Sequence, residues 1–318
     1  MSEPARNRRL GYGITAVDTD YVRPFLDASH LLVHGGRAAF IDTGTNHSVP
    51  LLLDALSQQA ISADDVDYVF LTHIHLDHAG GAGVLMQALP SAKLVVHPRG
   101  ARHMIDPGKL IAGSVAVYGQ DVFDRLYGAL EPVDEARVIV AEDDAEFELG
   151  GRRLRVFHTE GHARHHYCID DPTSGGVFTG DSFGISLREF DTEAGAFIFP
   201  TTTPVHFDPV EAHRSIDRIL ELRPERLYLT HYSEVTDVER LGADMHRRLD
   251  AFVQLAEDAN GDEDRTTALQ QAMLRYLVDE LRAHGNTTDE AALRQSLQMD
   301  LRLNVMGLEH WLDTRDLH

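Results

Sequence analysis

The sequence predicts an α/β fold with a helical C-terminal region. Three observations carry this. The first 100 residues alternate short apolar, strand-like runs with helix-like stretches. Side chains able to bind a metal recur just after several apolar runs, where an α/β or ββ sandwich presents its loops. From Val235 onward the pattern is helical to the end, with no further strand.

Ser29–Val33 and Ala38–Ile41 read as a strand pair around the turn His34-Gly35-Gly36-Arg37, the second ending in Asp42-Thr43-Gly44. A helix over 49–59 follows, then a strand at Val66–Leu71, a histidine-rich loop, a helix over 83–89 and a strand at Lys93–Val96. Residues 99–135 break the rhythm and read as an insertion of two helices, 104–117 and 121–130. Strands resume at 136–140, 145–149 and 154–158, with the turn Gly150-Gly151 between the last two. Strands at 167–169 and 176–179 precede a helix beginning near Asp208, an N-cap before Pro209, and a strand at 226–229. In the tail, Leu293, Leu297, Leu301, Val305, Leu308 and Leu312 recur at three- or four-residue spacing, which predicts an amphipathic helix packed on the domain or on a second subunit. The expected domains are 1–234, with 99–135 as a helical cap, and a helical extension over 235–318.

The chain has 318 residues, 43% hydrophobic and 25% charged, enough for a sizeable core. Its one cysteine, Cys168, excludes an internal disulfide and reads as a small buried residue in a strand. Met1–Leu10 is polar and leads into no apolar segment, and no window reaches the roughly 18 apolar residues of a membrane helix, so a cytoplasmic location is expected. A formal charge of −22 argues against a nucleic-acid partner, and the cluster Arg152-Arg153-Arg155 falls in a strand. The expected partner is a small molecule, with neither nucleic acid nor membrane, and with homodimerisation through the C-terminal helices left open.

The densest chemistry is Thr72-His73-Ile74-His75-Leu76-Asp77-His78, three histidines and a carboxylate in six positions after an apolar run. On a helix, residues i and i+2 point about 200° apart, so His73 and His75 converge only where a strand runs into a turn. Neutral imidazole and carboxylate suit zinc, iron and manganese alike. His162, Asp181 and His231 recur at the ends of later strand-like runs.

Together these motifs resemble the metallo-β-lactamase fold superfamily. His73-Ile74-His75-Leu76-Asp77-His78 is similar to its H-x-H-x-D-H motif, Gly161-His162 to the third-histidine motif, Gly180-Asp181 to the bridging aspartate and Thr230-His231 to the last histidine. Asp42-Thr43-Gly44 resembles the aspartate turn beneath the site. The resemblance implies an αββα sandwich holding two divalent metal ions, zinc first, with iron or manganese open. It implies His73, His75 and His162 on one ion, Asp77, His78 and His231 on the other, and Asp181 bridging. Asp77 would then also relay a proton as the catalytic residue. The pattern is that of glyoxalase II-like hydrolases, in which a bridging hydroxide attacks an ester-type carbonyl, thioester or lactone. Phosphodiester cleavage on the same site and an iron-dependent oxidoreductase of the sulfur-oxygenating type are the alternatives. Glutathione-binding basic residues of that family have no match here.

Other candidates are weighed singly. Asp42 either orients a ligand histidine or only forms its turn. His165 and His166, read as neighbours on a strand, face opposite ways, so at most one reaches the site. Arg164 reads as a solvated loop residue or an anion contact. Tyr118, Tyr232 and Thr201–Pro204 are candidate pocket residues.

Overall fold

The structure, a computed structural model, describes residues 6–315. The first five residues of the polar Met1–Leu10 stretch and the last three of the helical tail lie outside that range. The chain divides into two compact units. The first comprises Met1–His158, His165–Gly180 and Glu225–Glu234, and the second Thr159–Arg164, Asp181–Pro224 and Val235–His318.

The first unit holds two sheets. The larger runs β1 (Asn7–Gly11), β2 (Ile14–Asp18), β3 (Ala28–His34), β4 (Arg37–Ile41), β5 (Val66–Phe70), β6 (Lys93–Val96) and β7 (Val138–Val140) in spatial order, antiparallel from β1 to β4 and parallel from β4 to β7. The parallel half needs crossovers, which α1 (Val49–Gln58), α2 (Leu76–Ala79), α3 (Ala82–Ala88), α4 (Pro98–Ile105), α5 (Gly108–Tyr118) and α6 (Gln120–Leu126) supply. One face of this sheet, with Phe40, Val69, Leu94 and Val96, buries Leu52 and Leu56 of α1, Leu85 of α3 and Met104 of α4 in a single apolar cluster. The smaller sheet has the order β13 (Ser233–Val235), β12 (Arg226–Leu229), β11 (Gly176–Gly180), β10 (Tyr167–Asp171), β9 (Arg152–His158) and β8 (Glu146–Leu149). The two sheets meet through rings: Phe70 lies edge-on to Phe147 at 5.2 Å, and His30 packs on Phe178 at 5.4 Å. The Tyr167 hydroxyl donates to the Val95 carbonyl at 2.8 Å.

The second unit is mainly helical: α7 (Pro209–Glu221), α8 (Val238–Ala259), α9 (Arg265–Ala283) and α10 (Glu290–Thr314). Asp208 caps α7, accepting the Val210 and Glu211 amides at 2.9 and 3.1 Å, with Pro209 at its first position. The six aliphatic residues expected on the inner face of α10 are all buried.

Several sequence expectations are corrected. β1 and β2 were not anticipated: β1 is an edge strand whose Arg8 and Arg9 are exposed, so charge hides the alternation. The single helix expected over 104–117 is two, because Asp106 is extended before Pro107, a residue that disfavours helix at the position ahead of it. The helix expected to reach residue 130 stops at Leu126, with Gly128 at φ 65°. Val235 belongs to the three-residue strand β13, and the helices resume only at Val238, after Asp237 in the left-handed region. The arginine cluster is neutralised in place. Arg152 is fully buried against Asp171, Arg153 pairs with Glu146, and Arg155 reaches Asp144 and Asp170. No described helix is long and apolar enough to cross a membrane.

Candidate metal centre

In the first unit the parallel strands β4 and β5 end side by side, and their loops carry the ligand-type residues. Asp42 follows β4 at φ 58° and is buried. Its Oδ1 accepts the Thr72 amide at 2.8 Å, and its Oδ2 accepts the Thr72 and Thr230 hydroxyls and His78 Nδ1 at 2.8, 2.9 and 2.8 Å. The carboxylate thus ties three loops together and fixes the tautomer of His78, leaving Nε2 as the nitrogen with a lone pair. The His78 carbonyl is itself held by the Thr43 amide and hydroxyl, at 2.7 and 2.9 Å.

The same logic repeats. With its proton given to Asp42, the Thr72 hydroxyl accepts from His73 Nδ1 at 3.2 Å, which turns His73 Nε2 toward His75 Nδ1, 2.9 Å away. His231 Nδ1 donates to the Leu26 carbonyl at 2.8 Å, and its Nε2 stands 3.5 Å from Asp77 Oδ2. His78 Nε2 is 4.0 Å from the same oxygen. Asp77, His78 and His231 offer ligand atoms within 4.8 Å of one another.

In the second unit His162 Nε2 lies 3.4 Å from Asp181 Oδ2, and His162 Nδ1 faces the Thr201 carbonyl at 3.3 Å. Both side chains are nearly buried. Metal–ligand bonds of about 2.0–2.2 Å at a tetrahedral angle put neighbouring donors about 3.3–3.5 Å apart. The His162–Asp181 and His231–Asp77 separations match that spacing and are long for hydrogen bonds between these groups. The Asp77, His78 and His231 group of the first unit therefore fits a divalent cation, and the His162–Asp181 pair has the spacing of two ligands on one ion.

His165 and His166 lie in a turn rather than on the strand, which starts at Tyr167, so strand alternation does not apply to them. Both rings lie alongside His73, at 6.2 and 4.9 Å between centroids, which corrects the expectation that at most one reaches this cluster. Gly180 makes this possible: at φ 48°, a Cβ there would fall 2.6 Å from both His166 Nε2 and the Thr72 hydroxyl. Tyr232 is buried, edge-on to Phe25 at 5.6 Å. Arg164 is exposed, and Cys168 is buried in β10 with its thiol toward the Thr179 carbonyl.

Three residues near the cluster carried no sequence signal. Asp27 is fully buried and accepts the Thr19 hydroxyl at 2.8 Å; burial pushes its carboxyl up to about 7 against the opposing pull of His231 and His78. Tyr21 and Tyr127, the latter at the end of α6, share a 2.8 Å hydrogen bond between buried hydroxyls. Burial and the nearby Asp77 carboxylate raise both phenols, so they stay protonated. Tyr118 packs on Tyr127 at 5.8 Å.

The family profile of the metallo-beta-lactamase superfamily matches residues 23–231. The metallo-beta-lactamase fold-containing protein ST1585 of Sulfurisphaera tokodaii is 35% identical over 174 residues, 53% of this chain and 61% of that protein. A hydroxyacylglutathione hydrolase of Maricaulis maris is 30% identical over 208 residues, 64% of this chain and 62% of that protein. The chain thus spans about three fifths of the length of these curated relatives. The crystal structure of ST1585 superposes with a TM-score of 0.59 at 29% identity, covering 76% of this chain and 87% of that one. The metallo-beta-lactamase family protein TTHA1429 of Thermus thermophilus gives 0.65 at 22%, covering 86% and 95%, and shares the fold. The matched span, the two sheets and the C-terminal helices lead to one conclusion: the chain belongs to the metallo-beta-lactamase superfamily and has its αββα fold.

Proposed function

We propose that the protein is a metal-dependent hydrolase with two divalent ions, zinc first, acting on a small ester-type substrate, thioester or lactone. His73, His75 and His162 would hold one ion, Asp77, His78 and His231 the other, with Asp181 shared. When bound, such ions acidify water and polarise an acyl oxygen. The observation that carries the reading is the treatment of the outer nitrogens. His73, His78, His162 and His231 each direct Nδ1 to an oxygen of the protein, which turns Nε2 toward other ligand-type side chains as metal ligation would require. Two relatives bear names consistent with the substrate class, the hydroxyacylglutathione hydrolase above and the Atrochrysone carboxyl ACP thioesterase of Aspergillus chevalieri, 26% identical over 156 residues.

In this reading Asp42 orients His78, and the Leu26 and Thr201 carbonyls orient His231 and His162. Asp77, less buried than its histidine neighbours, takes and returns a proton at Oδ2. Tyr21 and Tyr127 keep water away from one side of Asp77 and offer a hydroxyl to the substrate. We also propose residues 235–318 as an extension that supports the centre from within the second unit.

The test is elemental analysis of protein purified without added metal, followed by thioester, lactone and phosphodiester assays on the same sample. About two zinc or manganese ions per chain with acyl-ester turnover is the expected result. Iron near one per chain without hydrolysis overturns it in favour of oxygen or sulfur chemistry. Asp181→Ala is expected to lose much of the metal and nearly all turnover while staying soluble.

A further inference from the structure

A second histidine cluster lies wholly within the second unit and uses none of the residues above. His213 and Asp217 sit four apart on α7, and His246 and Asp250 sit four apart on α8, so each helix presents one imidazole and one carboxylate on a single face. The helices run antiparallel, and the pairs cross: His213 Nε2 meets Asp250 Oδ1 at 3.0 Å, and His246 Nε2 meets Asp217 Oδ1 at 3.1 Å. Between them the two Nδ1 atoms face each other at 2.6 Å.

The ring geometry is specific. The planes are within 5° of parallel and the centroids 4.9 Å apart. Rings stacked face to face cannot bring ring atoms to 2.6 Å, because aromatic faces meet at about 3.5 Å. The imidazoles therefore lie edge to edge, nearly coplanar, with the in-plane lone-pair direction of one Nδ1 aimed at the other. Each Nε2 meets a carboxylate, which leaves Nδ1 as the nitrogen turned toward its counterpart, the arrangement that outer carboxylates give to metal-ligating histidines. Two Nδ1 lone pairs at that distance repel unless positive charge lies between them, and two carboxylates stand behind the rings to balance a dication placed there.

We propose that His213 and His246 form an accessory site for a borderline first-row dication, Zn2+ or Cu2+, bound through the two Nδ1 atoms. The rings tilt so that their lone pairs converge, and the nitrogens part to about 3.4 Å to make two bonds of about 2.0–2.1 Å at a tetrahedral angle, with any proton held between them leaving to solvent as the ion enters. The imidazoles are 29% and 28% exposed, so water can complete the coordination and the rings have room to turn. Imidazole ligation favours copper over zinc at equal availability.

The experiment is elemental analysis after dialysis of the full chain against buffered free Zn2+, beside His213→Ala and His246→Ala. The expected result is one ion fewer per chain in each variant, with the same turnover, and one proton released per additional ion in the parent. Identical metal content in all three overturns the proposal. Cu2+ electron paramagnetic resonance supplies a readout independent of stability: the parent is expected to show a component with two equatorial nitrogens that is absent from either variant, and the same spectrum in all three overturns the site. Asp250→Asn keeps both imidazoles and is expected to weaken binding about 10- to 100-fold. No residue is shared with the proposed centre, so the difference between parent and variants is read whether or not that centre fills.

Discussion

Asn304, in the middle of α10, holds Thr202. Its side-chain oxygen accepts the Thr202 amide at 2.5 Å, and its backbone carbonyl accepts the Thr202 hydroxyl at 3.0 Å. The preceding residue, Thr201, is the one whose carbonyl faces His162 Nδ1. The C-terminal helix therefore reaches His162, a proposed metal ligand, through two adjacent residues.

Asn304→Ala strands the buried Thr202 amide, a loss of about 1–3 kcal/mol. Thermal unfolding should show that loss, and metal titration should show weaker binding. Gly307→Ala should be worse, since a Cβ there would lie 1.5 Å from the Thr202 carbonyl oxygen and force the helix or the loop to move. Unchanged metal affinity in both variants would break the link from α10 to His162.

Asp42→Asn keeps the shape but cannot accept all four of its hydrogen bonds, and it offers an N–H where His78 Nδ1 now donates. The tautomer of His78 should reverse. Metal affinity is expected to fall about 10- to 100-fold, measured by competition with a chromophoric chelator.

Tyr21 and Tyr127 carry two phenolic protons, and only one can lie between their oxygens; the other points elsewhere. Tyr127→Phe should cost about 1 kcal/mol of stability and lower kcat/KM about tenfold through loss of a donor near Asp77. Equal kcat/KM in parent and variant would restrict the pair to a structural role.

His30 lies fully buried between the sheets, and burial pushes its imidazole down to about 4. The unfolded chain protonates it near the ordinary 6.5. Below about pH 6.5 the unfolded state therefore binds more protons. Stability falls as pH drops from there toward about 4, and this residue contributes no pH dependence at higher pH. The loss from this residue is of the order of 3 kcal/mol at most. His97, pushed down to about 3 chiefly by burial, adds to the same acid limb. Denaturant melts of His30→Phe between about pH 7.5 and about pH 4.5 should show a flatter acid limb than the parent.

Much of this was legible in the residues. The i, i+2 spacing of His73 and His75 excluded a helix at those two residues, although Leu76–Ala79, with Asp77 and His78, forms a short one where a loop was expected. The strands expected near β3–β6 and β9–β12 are present. What escaped has physical causes. β1 hides its alternation behind edge arginines, and β13 is three residues long, too short for any period. Asp27, Tyr21 and Tyr127 matter only because folding buries them, and no local pattern records a contact between residues 21 and 127. His165 and His166 misled because alternation holds on strands and they precede one. The His213–His246 contact was equally silent, since it joins two amphipathic helices that each look ordinary.

The Asp42 carboxylate gathers groups from positions 72, 78 and 230. During synthesis the first two emerge early and the third only about 150 residues later, roughly eight to thirty seconds at ordinary elongation speeds. Until then Asp42 can hold Thr72 and His78 but lacks the Thr230 hydroxyl. On the proposed assignment of His231, complete ion capture should wait until that residue clears the ribosome, so the order of translation would delay loading until the last strand of the site exists.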